Sequence, residues 1–339
     1  MSIKVASNGY GVIGRRIADA VKAQPDMELV GIAKVSPDYK AKLAVEKGYK
    51  IFSADEKGLE KFRGNGIEPA GTSKDLIEKA DIIIDSTPGN IGPSNKEVYA
   101  DLGKKALFQG GEKHDLTGFS FVAQCNYGDA AGKQFTRVVS CNTTGLCRVL
   151  NALDQEFGVD RARVVIARRA ADPDETTKGP IDAVSLDPVH LPSHHGPDVN
   201  TVMPHINIST MAIKIPTTHM HLHSAMIQLK DKTASSDRVI DTLNRTSRIM
   251  LVNSKSGIKS TGQVLDLGRE LGRPRNDLFE SIIWEDSVSI VESEVFFFMG
   301  VHQESIVIPE NIDAIRAVMQ TKSAKDSIHI TNQILGIRK

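Results

Sequence analysis

The sequence predicts an α/β protein with two sheets: an N-terminal doubly wound parallel sheet, then an α+β domain with a largely antiparallel one. Three observations carry this. Short β-rich runs alternate with helical patterns over the first ~140 residues, which predicts a parallel sheet covered by helices on both faces. A G-x-G-x-x-G, Gly9-Tyr10-Gly11-Val12-Ile13-Gly14, separates the first strand from the first helix. After Cys141 the strands lengthen and the loops between them grow.

The elements follow in order. Residues 3–7 are a β-rich run and 15–24 a helical pattern. Residues 28–34 form a strand and 39–47 a helix. Residues 82–86 are mostly apolar, with Asp81 before them and Asp85 near their end. Residues 106–108 and 136–139 are further strands. A helix then spans 142–157. Strands at 163–169, 210–215 and 219–230 surround a loop rich in Pro, Gly and His, residues 172–202, which Asp172-Pro173 begins with a turn. Residues 281–285, 287–292 and 294–299 add more strand. Pro309 opens a last helix, 310–319, as proline does at a first helical position. The texture places a domain boundary near residue 140.

Composition narrows the function. The chain has 339 residues, room for about two domains. Lys plus Arg number 42 and Asp plus Glu number 42. That balance argues against a nucleic-acid partner held by bulk electrostatics. With 40% hydrophobic and 25% charged residues, the mix is that of a globular protein. It excludes a disordered chain, a collagen and a disulfide scaffold. The longest apolar run, residues 295–301, falls short of the ~20 residues of a membrane span. No apolar signal region opens the chain, and the three cysteines, Cys125, Cys141 and Cys147, fit a reducing cytoplasmic setting.

The glycine motif has the context that its chemistry requires. A first glycine makes the turn, a second lets backbone approach a pyrophosphate, and a third lets helix and strand pack. Amides from Gly11 to Gly14 then meet phosphate oxygens at the positive end of a helix. This is a Rossmann-type dinucleotide site. About 20 residues on, a carboxylate would accept a bond from the ribose 2′-hydroxyl of NAD. The sequence there is Gly31-Ile32-Ala33-Lys34, and an ammonium favours a 2′-phosphate. NADP is therefore expected to serve at least as well as NAD.

The second site lies at Ser140-Cys141-Asn142-Thr143-Thr144-Gly145. A strand ends, Ser140 can cap, and Cys141 lies at or just before the first helical turn. Free amides and the helix dipole there are expected to lower the thiol's pKa and to hold an oxyanion. A thiol beside a nicotinamide implies addition to an aldehyde, hydride loss and a thioester, with a base at the hydroxyl. Seven of the ten histidines lie between residues 190 and 223. On a strand, His219, His221 and His223 share one face, and spacing alone does not choose the base among them. A His-x-His strand also suits zinc. The chain has no H-E-x-x-H and no cysteine pair at finger spacing, and a zinc hydrolase leaves the glycine motif unexplained. No metal is expected. Arg168 and Arg169 end a strand, and with the Ser193-His194-His195-Gly196 loop they suit an anionic substrate.

Six segments together resemble archaeal-type glyceraldehyde-3-phosphate dehydrogenase over essentially the whole chain: Asn8-Gly9-Tyr10-Gly11, Gln109-Gly110-Gly111-Glu112-Lys113, Ser140 to Gly145, Arg168-Arg169-Ala170-Ala171-Asp172-Pro173, Pro192-Ser193-His194-His195-Gly196-Pro197-Asp198 and His302-Gln303-Glu304-Ser305. The resemblance implies phosphorylating oxidation of glyceraldehyde 3-phosphate with inorganic phosphate and NAD(P)⁺. It implies Cys141 as nucleophile and His221, the first histidine of Met-His-x-His, as base. It places substrate at Ser140, Cys141, Asn142, His194 and His195. It places cofactor at Val12, Ile13, Gly111, Arg169 and Gln303, beside Gly9, Gly11, Gly14 and Lys34. Residues 1–140 with 302–339 would bind dinucleotide, and 141–301 would form the catalytic domain. A cytoplasmic homotetramer using both cofactors is the family expectation. His219 stands where the resemblance leads one to expect an aliphatic residue. Two other readings remain: a semialdehyde or acyl-phosphate reductase of the same superfamily, and a nucleotide-binding scaffold with an inactive site.

Overall fold

The computed structural model describes residues 2–171 and 178–338. The chain divides into two compact units. One comprises Met1–Val139 with Ile308–Leu335, the other Ser140–Val307 with Gly336–Lys339. The division falls at 139/140 and 307/308, against 140/141 and 301/302 in the sequence reading. Asp172 and Pro173 lie outside the described residues.

The first unit holds strands β1 (Ile3–Asn8), β2 (Met27–Lys34), β3 (Ile51–Ser53), β4 (Ile82–Asp85), β5 (Lys105–Phe108), β6 (Ser120–Phe121) and β7 (Phe135–Val138). They form one sheet in the order β3-β2-β1-β4-β5-β7-β6. Every strand pairing in it is parallel among the described residues. Its helices are α1 (Val12–Ala23), α2 (Tyr39–Glu46), α3 (Glu56–Arg63), α4 (Ser73–Lys79), α5 (Gly92–Asp101) and α6 (Ala123–Asn126). The period of two along a strand sends neighbours to opposite faces. Ile32 and Ile51 join Ala18, Ala41 and Phe62 in one apolar cluster. Ala33 and Phe52, one residue on, join Leu76, Tyr99 and Phe108 in another. Helices thus cover both faces, as the alternation predicts.

The second unit holds α7 (Cys141–Phe157), β8 (Val159–Arg169), β9 (Ser185–Leu186), α8 (His195–Asn200), β10 (Ile208–Ile215), β11 (His221–Leu229), α9 (Ser236–Arg245), β12 (Ile249–Val252), α10 (Thr261–Glu270), β13 (Ser281–Trp284), β14 (Ser289–Val291) and β15 (Glu294–Val301). The sheet runs β12-β13-β15-β11-β8-β10-β9, with β14 beside β15. Only the β10–β8 and β12–β13 pairs are parallel. The sheet is therefore mixed and mostly antiparallel. Helix α7 lies tight on it. A Cβ added to Gly145 would meet Val301 at 2.9 Å.

Three element expectations change. The span 172–202, expected as loop, holds β9 and α8 among its described residues. The strand expected from residue 219 begins at His221, because Met220 takes a left-handed φ of 64° in the turn before it. The helix opened by Pro309 is not the last. It is α11 (Ile308–Val318), and α12 (Ala324–Leu335) follows it in the first unit.

Candidate active site

In the first unit, β1 ends at Asn8 and the chain turns at Gly9, whose φ of 105° lies in the left-handed region. Space accounts for all three glycines of the motif. A Cβ on Gly14 would strike the Gly9 carbonyl oxygen at 2.2 Å, and one on Gly9 the Ser86 carbonyl oxygen at 2.6 Å. A Cβ on Gly11 would meet nothing within 4 Å. It would instead fill the open space over the first turn of α1. That helix starts at Gly11 without a side-chain cap. Helices α2, α3, α4, α7, α9 and α10 each carry one. Uncapped amides at Val12, Ile13 and Gly14 above an open cradle fit a pyrophosphate. The turn is braced from below. Asn8 donates to Tyr99 Oη at 2.6 Å, and Tyr99 donates to Asp85 Oδ2 at 2.8 Å. Ser86 Oγ donates to the Gly9 carbonyl at 3.0 Å.

Lys34 is the last residue of β2, one position past Ala33, whose carbonyl accepts the Gly9 N–H at 3.3 Å. Its Nζ donates to Asp38 Oδ2 at 2.9 Å. Gly111 lies in the loop after β5, and a Cβ there would also meet nothing within 4 Å. Gln109, two residues earlier, exchanges two amide bonds with Asn311, at 2.8 and 3.1 Å.

In the second unit, Ser140 caps α7, and its Oγ accepts the Thr143 N–H at 3.4 Å. Thr143 Oγ1 donates to Asp198 Oδ2 at 2.5 Å, so the hydrogen shared with Ser140 at 2.8 Å is the serine's. Both oxygens are thus held within the cap. Cys141 is the first residue of α7 and is half-buried. Burial pushes its thiol above the ordinary value near 9, while the Arg168 and Arg169 charges and neighbouring amides pull it back. The helix dipole does not make a resting thiolate here, as the sequence reading expected, because desolvation outweighs it.

Three buried imidazoles surround this region. His223 Nε2 donates to Asn142 Oδ1 at 2.8 Å, and burial pushes its pKa down to about 3. His221 Nδ1 accepts the backbone N–H of Arg169 at 3.0 Å. An amide can only donate, so the neutral ring carries its hydrogen on Nε2. Burial first, then the fixed guanidinium charges of Arg168 and Arg169, holds this ring well below 6.5 and neutral. His195 stacks on His194 with centroids 4.0 Å apart. It is 1% exposed, and neither ring nitrogen has a hydrogen-bond partner. Burial, then His194, Arg168 and His223, lowers its pKa to about 2. An unpartnered buried imidazole calls for a polar ligand.

His219 does not join them. It is exposed and outside β11, so the expected face of three imidazoles holds two. Gln303 is buried, and its amide grips the turn before β11. Its Oε1 accepts the Met220 N–H at 2.8 Å and its Nε2 donates to the Thr218 carbonyl at 3.1 Å. Arg168 pairs with Asp187, which Lys214 also approaches at 3.5 Å. Sequence reasoning missed Asp198, Asp187 and the His223–Asn142 bond. Asp198 was visible in the quoted Pro192–Asp198 segment, but nothing local tied it to Thr143. Among the described residues, no group of three or more His, Cys, Asp or Glu gathers as metal ligands, and no helix is long and apolar enough to cross a membrane.

Known proteins match this sequence. Residues 140–287 match the family described as glyceraldehyde 3-phosphate dehydrogenase, C-terminal domain. The chain is 50% identical over 335 residues to glyceraldehyde-3-phosphate dehydrogenase 2 of Methanosarcina barkeri, covering 98% of each chain. It is 52% identical over 337 residues to the glyceraldehyde-3-phosphate dehydrogenase of Methanococcoides burtonii, covering 99% of each. The chain belongs to the glyceraldehyde-3-phosphate dehydrogenase family. A third relative, from Sulfolobus acidocaldarius, is 49% identical over 340 residues, covering 100% of this chain and 98% of its own. The resemblance read from six segments thus extends over the full chain. Membership makes this dehydrogenase an aldehyde oxidoreductase of glycolysis and gluconeogenesis that works with NAD(P).

Proposed function

We propose that the enzyme oxidises glyceraldehyde 3-phosphate reversibly to 1,3-bisphosphoglycerate, with Cys141 as nucleophile. The observation that carries this is the setting of Cys141: a capped helix start that feels two guanidinium charges, with His221 held neutral beside the same arginines and His195 beside Arg168. As Cys141 Sγ bonds to the aldehyde carbon, the carbonyl π pair moves onto oxygen and the thiol proton passes to solvent. NAD(P)⁺, held by the Val12, Ile13 and Gly14 amides, would supply the acceptor for the hydride on that carbon. The carbonyl then re-forms as a thioester. A phosphate oxygen attacks it, the C–S bond breaks, and the acyl phosphate leaves.

His221 supports this from Nε2. The resemblance casts it as base, yet the Arg169 amide and burial both oppose a second proton on the ring. We assign it to donating Nε2–H to the substrate oxygen, where negative charge develops. Arg169, and Arg168 once the substrate's phosphate competes with Asp187 for it, are assigned to that phosphate, because His195 stays neutral. We assign Ser140, Asn142, His194 and His195 to holding the substrate, as the resemblance implies. Gln303 acts through the turn that delivers His221.

Lys34 supports use of NADP at least as well as NAD, with phosphates on the Val12, Ile13 and Gly14 amides and Gly111 nearby. Exposed apolar side chains at Ile181, Val184, Leu186, Val189 and Leu191 support self-association as a homotetramer, which light scattering checks by a mass of four chains. None of the three cysteines is in a disulfide, which fits a cytoplasmic enzyme.

The test is absorbance at 340 nm with glyceraldehyde 3-phosphate, with and without inorganic phosphate, for each cofactor. Sustained phosphate-dependent turnover is expected. Cys141→Ser should abolish it while cofactor binding persists. Turnover near wild type in that variant places the nucleophile elsewhere. Activity confined to a semialdehyde would favour the reductase reading.

A further inference from the structure

We infer that Asp38 is a specificity-determining residue that tempers this enzyme's preference for NADP over NAD. The inference deepens the reading that Lys34 meets the cofactor's ribose, and it rests on that reading.

Lys34 sits where β2 ends, one residue past the carbonyl that ties down the Gly9 turn. An ammonium there, standing alone, would draw a 2′-phosphate strongly. It does not stand alone. Its Nζ donates to Asp38 Oδ2 at 2.9 Å, and the lysine side chain is only 12% exposed. Asp38 cannot swing clear of it. Its other oxygen, Oδ1, accepts the Ala41 N–H at 3.1 Å and caps α2. One carboxylate therefore holds the helix start with one oxygen and the lysine with the other. The lysine's backbone is fixed as well, since its carbonyl accepts the Ala54 N–H at 3.1 Å.

The consequence follows from charge. A lysine pinned to a carboxylate presents a nearly neutral pair, and the carboxylate repels a phosphate dianion. A 2′-hydroxyl carries no charge and loses nothing by the pairing. It can also donate to a carboxylate oxygen. The pair thus lowers the advantage of NADP without penalising NAD, and a chain with no carboxylate at the end of β2 itself accepts both. The carboxylate reaches the ribose site from α2's cap, four residues further on. Half-exposure of Asp38 lets solvent and salt weaken the effect without cancelling it.

The test measures dissociation constants of NADP⁺ and NAD⁺ by calorimetry for wild type, Asp38→Asn, Lys34→Ala and the double variant. Adenosine 2′-monophosphate serves as a competing probe of the 2′-phosphate site. Asparagine keeps an oxygen for the Ala41 N–H, so α2 stays capped. Asp38→Asn should tighten NADP⁺ and the probe roughly five- to thirtyfold, leave NAD⁺ within about twofold, and lose most of the gain at high salt. On the Lys34→Ala background the same change should gain little. If Asp38→Asn leaves the NADP-to-NAD ratio unchanged or lowers it while Lys34→Ala lowers it, Asp38 merely orients the lysine and the inference falls alone. If Lys34→Ala leaves the ratio unchanged, the lysine reading falls and takes the inference with it.

Discussion

Cys141 shows how two residue-scale effects compete. A helix start lowers a thiol's pKa, and burial raises it. Here burial wins, so the resting enzyme holds a thiol. Alkylation by iodoacetamide in the absence of cofactor should therefore rise about tenfold per pH unit up to and beyond pH ~9. A plateau near pH 6 would show a resting thiolate instead. His221 offers a second check. A ring held neutral well below 6.5 does not titrate between pH 6 and 7, so the acylation rate should show no loss there that depends on it. His221→Ala should slow acylation roughly 10²- to 10³-fold, the cost of removing one donor at a developing oxyanion. An acid limb near pH 6.5 that vanishes in the variant would restore the base role. Cys141 stood out in the sequence by its motif, and His221 was one of three candidates by period, singled out only by the resemblance. Their protonation was not legible there, because it depends on Arg168, Arg169 and the depth of burial. His219 was misplaced for a comparable reason. The grip that ends the strand at His221 comes from Gln303, 83 residues away from Met220.

At the scale of elements, α1 and its cradle act as one unit. Gly14→Ala should cost on the order of 1–3 kcal/mol in thermal unfolding, because its Cβ meets a backbone oxygen that cannot turn aside. The same shift should abolish NADP⁺ binding in calorimetry. Unchanged stability and binding would mean that the third glycine has no packing role. Strong local signals revealed α1 and α7: a glycine turn in one case, a polar cap and a long apolar stripe in the other. Helix α9 had comparable signals that went unread, with Ser235 as cap and Val239, Thr242 and Leu243 buried at helical spacing. Helix α12 had none. Its buried residues are Ser327 and Thr331, each donating to Asp313 Oδ1 at 2.6 Å. Periodicity in hydrophobic residues cannot find a helix whose inner face is polar. Helix α5 buries only Gly92 and Tyr99, too few to mark a stripe.

For the whole molecule, the buried histidines set a direction for acid sensitivity. His195, His221 and His223 are neutral when folded, with pKa values pushed down to about 2, well below 6.5, and about 3. Unfolded, each binds a proton near pH 6.5. The unfolded state therefore binds more protons below that pH, and stability falls as pH drops from 6.5 towards 4. Each ring contributes up to roughly 1.4 kcal/mol per pH unit over that window. Chemical denaturation at pH 7 and pH 5 should show the loss, and His223→Gln should reduce it. Equal midpoints at both pH values would mean that these rings protonate in the folded state. The two-sheet architecture was legible because periodicity and texture change along the chain. The burial that silences these imidazoles was not, since it needs the folded sheet around them. The nucleophile is tested most directly by rapid acid quench and mass spectrometry of enzyme mixed with glyceraldehyde 3-phosphate and NADP⁺, without inorganic phosphate. One 3-phosphoglyceroyl group per chain, on Cys141 and matched by one reduced cofactor, is the expected result. Cofactor reduction with Cys141 unmodified, or the acyl group on another residue, would contradict it.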